Sequence, residues 1–152
     1  MSQPGRHSVS VTGVVIDEDR VLVIQRRDNG AWEVPGGVLE LDEPIHTGLR
    51  REVLEETGVE ILPGPLTGVY KNMTAGVVTL VFRATPIGGH PTPTDESAAV
   101  EWWGVEQVRE RMVPAFSVRV LDALADNDVV PIREHDGVQL IGPGWPAAPT
   151  DL

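Results

Sequence analysis

An α/β domain is what this sequence predicts, and three observations carry the expectation. Near the N-terminus two β-branched apolar runs, VSVTGVVI at 9–16 and VLVI at 21–24, are separated by little more than Asp17-Glu18-Asp19, the pattern of a hairpin. Residues 42–57 repeat their apolar side chains every three or four positions, as one face of a helix does. Beyond them VVTLVF at 77–82 reads as a buried strand and 116–125 as a second amphipathic helix, so strands and helices alternate along the chain.

Taken in order, each element has a local reason. Within 42–57 only Pro44 is unfriendly to a helix, and a first turn tolerates it because its missing N–H would be unpaired there anyway. Asp42 is the expected N-cap, Glu43 sets negative charge at the positive end of the dipole, and Gly58 is placed to end the helix in the left-handed conformation. Val69 and Tyr70 lead toward a turn near Asn72, and 88–93, rich in Gly, Pro and Thr, reads as a loop. Residues 100–103 follow as a strand and 105–112 as a short polar helix. The 116–125 helix puts Phe116, Val120, Leu121 and Leu124 on one face. Asp136-Gly137, between Ile132 and Val138-Gln139-Leu140-Ile141, signals a final hairpin. The expected organisation is one domain over 1–141, with a core at 8–126, a C-terminal hairpin at 129–141 and a disordered tail at 142–152.

Composition narrows the classes. With 152 residues, 41% of them hydrophobic and 23% charged, the chain is long enough to bury a core of its own. It has no cysteine, which excludes disulfides and thiolate chemistry, and its four histidines are scattered without an H-x-x-x-H pair, which argues against a zinc site. A net charge of −11 argues against a nucleic-acid partner, because no basic stripe exists to displace counterions. MSQPGRHS lacks the basic start and apolar run of a signal peptide, and no apolar stretch approaches a membrane span, so a cytoplasmic location is expected.

The chemistry concentrates on the 42–57 helix. At about 100° per residue, with Glu52 at zero, Glu56 falls near 40° and Glu55 near 300°, so three carboxylates share one face. Ile45, Leu49 and Val53 fall at roughly 20°, 60° and 100°. The acidic patch thus overlaps the apolar stripe and is turned toward the body of the protein. Like charges crowded there are costly unless a cation neutralises them, and clustered hard oxygens suit Mg²⁺ or Mn²⁺. Gly48, one turn before Glu52, leaves space above the acids, for a metal and phosphate or simply for close packing.

The stretch GVLELDEPIHTGLRREVLEETGV from Gly37 to Val59 keeps Gly37, Glu43 and the run Arg51-Glu52-Val53-Leu54-Glu55-Glu56-Thr57-Gly58-Val59 in fixed register. This spacing resembles the Nudix box, and chance agreement at one site is on the order of 1 in 10⁹ at average residue frequencies. The resemblance covers about residues 8–126. It implies an α/β/α sandwich with a mixed β-sheet between helices, and a Mg²⁺- or Mn²⁺-dependent hydrolase that splits a phosphoanhydride in a nucleoside diphosphate linked to another group. Asp42 stands where a glycine usually precedes the glutamate of the box. The resemblance makes Glu52, Glu55 and Glu56 the metal-binding acids, with the carbonyl of Gly36, before the box, as a further ligand. Arg51 orients the acids and Glu43 is a positioning residue.

By position Arg27 matches the arginine that contacts substrate phosphate in some members, and strand alternation lets only one of Arg26 and Arg27 face the site. Glu96, in the loop before Val100-Glu101-Trp102, is the candidate for a further acid, so Glu52 and Glu96 are the two choices for general base. Trp32, Tyr70 and Phe116 are candidates to stack on a base, although aromatics beside apolar runs more often belong to the core. The alternative is a catalytically idle nucleotide-sensing module, which would not need the complete acid set; a purely structural partner-binding domain is a third reading. No proline stands in 71–76, where ADP-ribose-cleaving members often carry one, and the Ser-Gln-Pro-Trp signature of NADH-cleaving members is missing, so the substrate stays open among nucleotide derivatives. Apolar residues at 129–132 and 138–141 exceed what a lone hairpin covers, and related enzymes are frequently homodimers, so a two-fold dimer is expected.

Overall fold

A computed structural model describes residues 4–142. Its nine strands form one mixed sheet in which β1 (Ser8–Asp17) is the branching element. The start of β1 lies antiparallel to β4 (Gly36–Val38) on one side and parallel to β6 (Val77–Gly89) on the other. Its far end turns back through Glu18, at φ 57, into β2 (Arg20–Arg26). β2 in turn pairs with the short β3 (Trp32–Glu33) and with β7 (Ser97–Trp103). Beyond β6 the order continues through β5 (Val59–Asn72) to β8 (Ile132–His135) and β9 (Leu140–Ile141).

Alternation along these strands supplies two cores, one on each sheet face. Val11, Val15, Leu22, Phe82 and Ala84 pack with Leu49 and Val53 of helix α1 (Ile45–Thr57). Val14, Val21, Val23 and Val81 point the other way, toward α2 (Val105–Arg111) and α3 (Pro114–Leu124). Strands covered on both faces read as continuous apolar runs, which is why 9–16 and 21–24 carry so few polar residues. Leu49 and Val53 are fully buried, and each contributes about 1.5–3 kcal/mol on burial. The expected α/β sandwich around a mixed sheet is therefore the architecture found.

Several elements differ in extent from the sequence expectation. α1 starts at Ile45 with Pro44 as its N-cap residue in extended conformation, so Asp42 caps nothing and Glu43 lies before the helix. A residue preceding proline is disfavoured in the helical region, which stops the helix from reaching back through Glu43. Gly58 ends α1 at φ 77, with its N–H donating to the Leu54 carbonyl. β5 runs 14 residues and includes Pro63 and Pro65, which a sequence pattern assigns to loop. Register shifts between Glu60 and Gly68 accommodate them. β6 likewise continues through Gly88 and Gly89, expected as loop, because β5 pairs with it that far. The C-terminal hairpin forms with Asp136 Oδ1 accepting from the Val138 and Gln139 amides, and β8 extends the sheet parallel to β5. Residues 143–152 of the expected disordered tail lie outside the described residues. No described helix is long and apolar enough to cross a membrane.

Candidate active site

One cleft of about 500 Å³ gathers most of the residues singled out above. α1 contributes Glu52, Glu55 and Glu56, the β4 segment Gly36 and Gly37, the end of β2 and the turn after it Arg26, Arg27 and Asp28, and the loop before β7 Asp95 and Glu96. Position on the helix decides how deep each acid sits. Glu56, between Ile45 and Leu49 on the helical wheel, is 6% exposed, whereas the Glu55 side chain, off the stripe, is 58% exposed. Glu52 is intermediate, its side chain 12% exposed.

Arg51 ties the acids together. Its Nε and Nη2 donate to both oxygens of Glu43, at 2.9 and 2.6 Å, while Nη1 donates to Glu52 at 2.9 Å and to Glu55 at 3.2 Å. The bidentate pair holds the Glu43 carboxyl down to about 2, helped by the Glu40 N–H. Glu43 thus anchors Arg51, and Arg51 aims Glu52. Burial is the leading cause that raises Glu52, opposed by Arg51 and reinforced by Glu55 and Glu96. Glu56 is pushed up to about 8, first by burial and then by Glu33, Glu52 and Glu96, against the Gly36 N–H that donates to it at 2.7 Å. A carboxylate placed among other carboxylates out of water is a position that a cation stabilises.

Two glycines of the box have steric roles. A Cβ on Gly37 would run into the Glu52 carboxylate. A Cβ on Gly48 would meet Leu39 and, at 2.8 Å, Glu43, so the space above Gly48 holds the 39–43 loop and not the metal-and-phosphate room that was one expectation. Among the described residues no three acidic or imidazole side chains already converge on one point that could hold an ion. Glu52 accepts from Arg51 and Glu56 from the Gly36 N–H, each through one carboxylate oxygen.

The substrate-contact expectations divide. Arg27 borders the cleft, its Nε donating to the Thr94 carbonyl and its backbone N–H to the Glu96 carbonyl, which pins the loop carrying Glu96. Arg26 borders the cleft as well, contrary to the alternation rule, because a bulge shifts the register between Gln25 and Arg26. Tyr70 is no stacking residue: it is fully buried and its hydroxyl donates to Asp122 at 2.6 Å. Trp32 lies against Trp103 at 4.6 Å between centroids, with the Arg111 guanidinium over both rings, and does not line the acidic cleft. Phe116 lines a second, smaller cavity next to the cleft. Sequence reasoning missed Asp28 and Glu33, the two carboxylates that hold Arg26, and neither carries a spacing signal.

Comparison with known proteins bears on the family and the fold. A MutT-like protein of Streptomyces ambofaciens is 54% identical over 94% of this chain and 93% of its own length. An ADP-ribose pyrophosphatase of Methanocaldococcus jannaschii is 29% identical over 66% of this chain and 64% of its own. Among solved structures, a NUDIX hydrolase of Nitrosomonas europaea superposes with a TM-score of 0.74 at 22% identity, covering 88% of this chain and 82% of that one. The sequence profile of the NUDIX domain matches residues 6–124, and with the box helix, its acids and the sandwich fold in place, the chain belongs to the Nudix family.

Proposed function

We propose that this Nudix domain is a pyrophosphohydrolase that uses Mg²⁺ or Mn²⁺ to split a phosphoanhydride in a nucleoside diphosphate derivative or a nucleoside triphosphate. The observation that supports it is the gathering of Glu52, Glu55, Glu56 and Glu96 in one cleft edged by Arg26 and Arg27. An all-oxygen donor set, with one carboxylate buried among others, fits a hard divalent cation. Glu52, Glu56 and the Gly36 carbonyl would hold it, with Glu55 and Glu96 adding oxygens as substrate enters. A bound ion supplies a more acidic water and neutralises charge on the leaving phosphate.

The protein's own groups do the rest. Arg51, fixed by Glu43, keeps the Glu52 carboxylate aimed into the cleft, and the Gly36 N–H sets the orientation of Glu56. Glu52 or Glu96 takes the proton from the attacking water, and Arg27 at the rim contacts the phosphate chain. The exposed Val129, Ile132, Val138 and Leu140 of the C-terminal segment support a two-fold dimer.

The test is hydrolysis of a nucleotide panel with each metal in ¹⁸O water, with products weighed to show which phosphorus gains the label. Turnover abolished by EDTA and lowered roughly 10²-fold or more by Glu52→Gln is expected. A protein that hydrolyses nothing in the panel overturns the reading and favours the sensing alternative.

A further inference from the structure

Four arginines surround the cleft and the smaller cavity beside it, and three of them meet side chains. Arg51 and Arg26 are held by carboxylates, and Arg119, in the smaller cavity, lies 3.2 Å from His135 Nε2. Among the described residues Arg27 hydrogen-bonds only backbone: its Nε donates to the Thr94 carbonyl at 2.8 Å and its N–H to the Glu96 carbonyl at 3.1 Å. Both acceptors belong to the loop between β6 and β7, the nearer of them 67 residues along the chain.

That loop depends on these two bonds. At its start the Thr92 N–H donates to the Thr57 carbonyl at the end of α1, at 2.8 Å, and from Ser97 onward the chain is paired with β2. Inside the turn the Thr94 hydroxyl accepts from the Glu96 and Ser97 amides, and the Thr94 N–H donates to the Ser97 carbonyl. Among the described residues the hydrogen bonds that reach 93–96 from outside the loop are the two from Arg27. Ser97 Oγ is fully buried with no partner among those residues, a cost of this arrangement that bonds from outside must offset. The Glu96 side chain is exposed, and no described group hydrogen-bonds its carboxylate, so the backbone sets where this acid stands. It stands near enough for its charge to raise both the Glu52 and the Glu56 carboxyls.

We propose that Arg27 is the positioning residue for Glu96, fixing the 94–97 turn so that this acid joins Glu52 and Glu56 at the cleft, as Arg51 does for the acids of α1. The proposal rests on the hydrolase reading, in which Glu96 acts on the metal or on water. A residue that acts by placing another loses its effect once the placed group is gone. A phosphate contact, by contrast, changes the rate by the same factor whether or not residue 96 is an acid.

Arg27→Lys keeps the charge but puts a methylene where Nε stands. In metal-free protein it should quicken exchange of the position-27 amide roughly fivefold, because the loop covers that N–H. With saturating Mg²⁺ and the nucleotide turned over fastest in the panel, Arg27→Lys should lower kcat about tenfold in the wild-type background and less than about twofold in Glu96→Gln. Thr94→Val removes the hydroxyl acceptor of the turn at a residue that does not line the cleft, and should lower kcat with KM within about twofold of wild type. An equal loss from Arg27→Lys in both backgrounds, a wild-type kcat in any of the three single variants, or unchanged amide exchange overturns the proposal and leaves the hydrolase reading standing. If no nucleotide is turned over, the hydrolase reading falls, and amide exchange alone decides whether Arg27 holds the turn.

Discussion

Two arginines of this protein sit in opposite predicaments. Arg51 is partly exposed, with its side chain 25% accessible, and hydrogen-bonds three carboxylates. Arg119 is buried, and among the described residues its one polar contact is an imidazole nitrogen for which another donor competes. The cleft around Arg51 has acids in excess and calls for a cation, while the cavity around Arg119 has a cation in excess and calls for acceptors.

The largest effect expected is at the acid side. Glu52→Gln and Glu56→Gln should each lower kcat by roughly 10²-fold or more at saturating metal, since an amide neither holds a cation firmly nor takes a proton. Wild-type rates in both variants would break the contrast at its acidic end. Gly37→Ala should follow, with kcat down by about tenfold, because the new Cβ must push the Glu52 carboxylate aside. Melting temperature in that variant should move little, since the displaced group is the end of a flexible side chain; a variant as active as wild type would mean that the orientation of Glu52 is unimportant.

The two sides also titrate in opposite directions. Glu56, at about 8 in the fold and near 4.5 unfolded, contributes stability that is complete below the unfolded value and is lost as pH rises through 8. His135, at about 4 in the fold against 6.5 unfolded, favours the fold above 6.5 and less so as pH falls toward 4. The two slopes offset each other between about pH 4.5 and 6.5, so thermal melts of metal-free protein should show a plateau there and a fall above it. Mg²⁺ should restore the alkaline loss, and Glu56→Gln should flatten that limb. An alkaline loss that persists in Glu56→Gln would assign it elsewhere.

Smaller effects sharpen the picture. Tyr70→Phe removes one hydrogen bond to Asp122, which keeps both bonds from Arg133, and should cost about 1 kcal/mol in denaturant unfolding with activity retained. A large loss of turnover would return Tyr70 to the site. Light scattering should give a dimer mass for the full chain at micromolar concentration, and a monomer mass would leave the hairpin serving its own sheet alone.

The acid side was legible in the sequence because helical geometry is regular. Spacing alone puts Glu52 and Glu56 over the apolar stripe and Gly58 at the helix end. The cation side was not, because it is assembled from α3, β8 and β1, segments more than a hundred residues apart at the extremes, and nothing in Arg119's neighbours marks it as buried. Tyr70 stayed open between stacking and core because a hydroxyl aromatic near a turn has the same local pattern whether it faces a ligand or, as here, a buried aspartate. The bulge at Gln25 and Arg26 defeated the alternation rule for the same reason: it depends on the partner strand.

The parallel pairing of β1 with β6 has a consequence for how the chain comes together. Ser8 meets Val77 and Val15 meets Ala84, so the central strand of the sheet has no parallel neighbour until more than half of the protein has been synthesised. Such non-local closure slows folding, and until it is made each of the two valine-rich runs, 9–16 and 77–82, has one side without its strand partner. Lower temperature during synthesis should therefore raise the soluble yield of this chain.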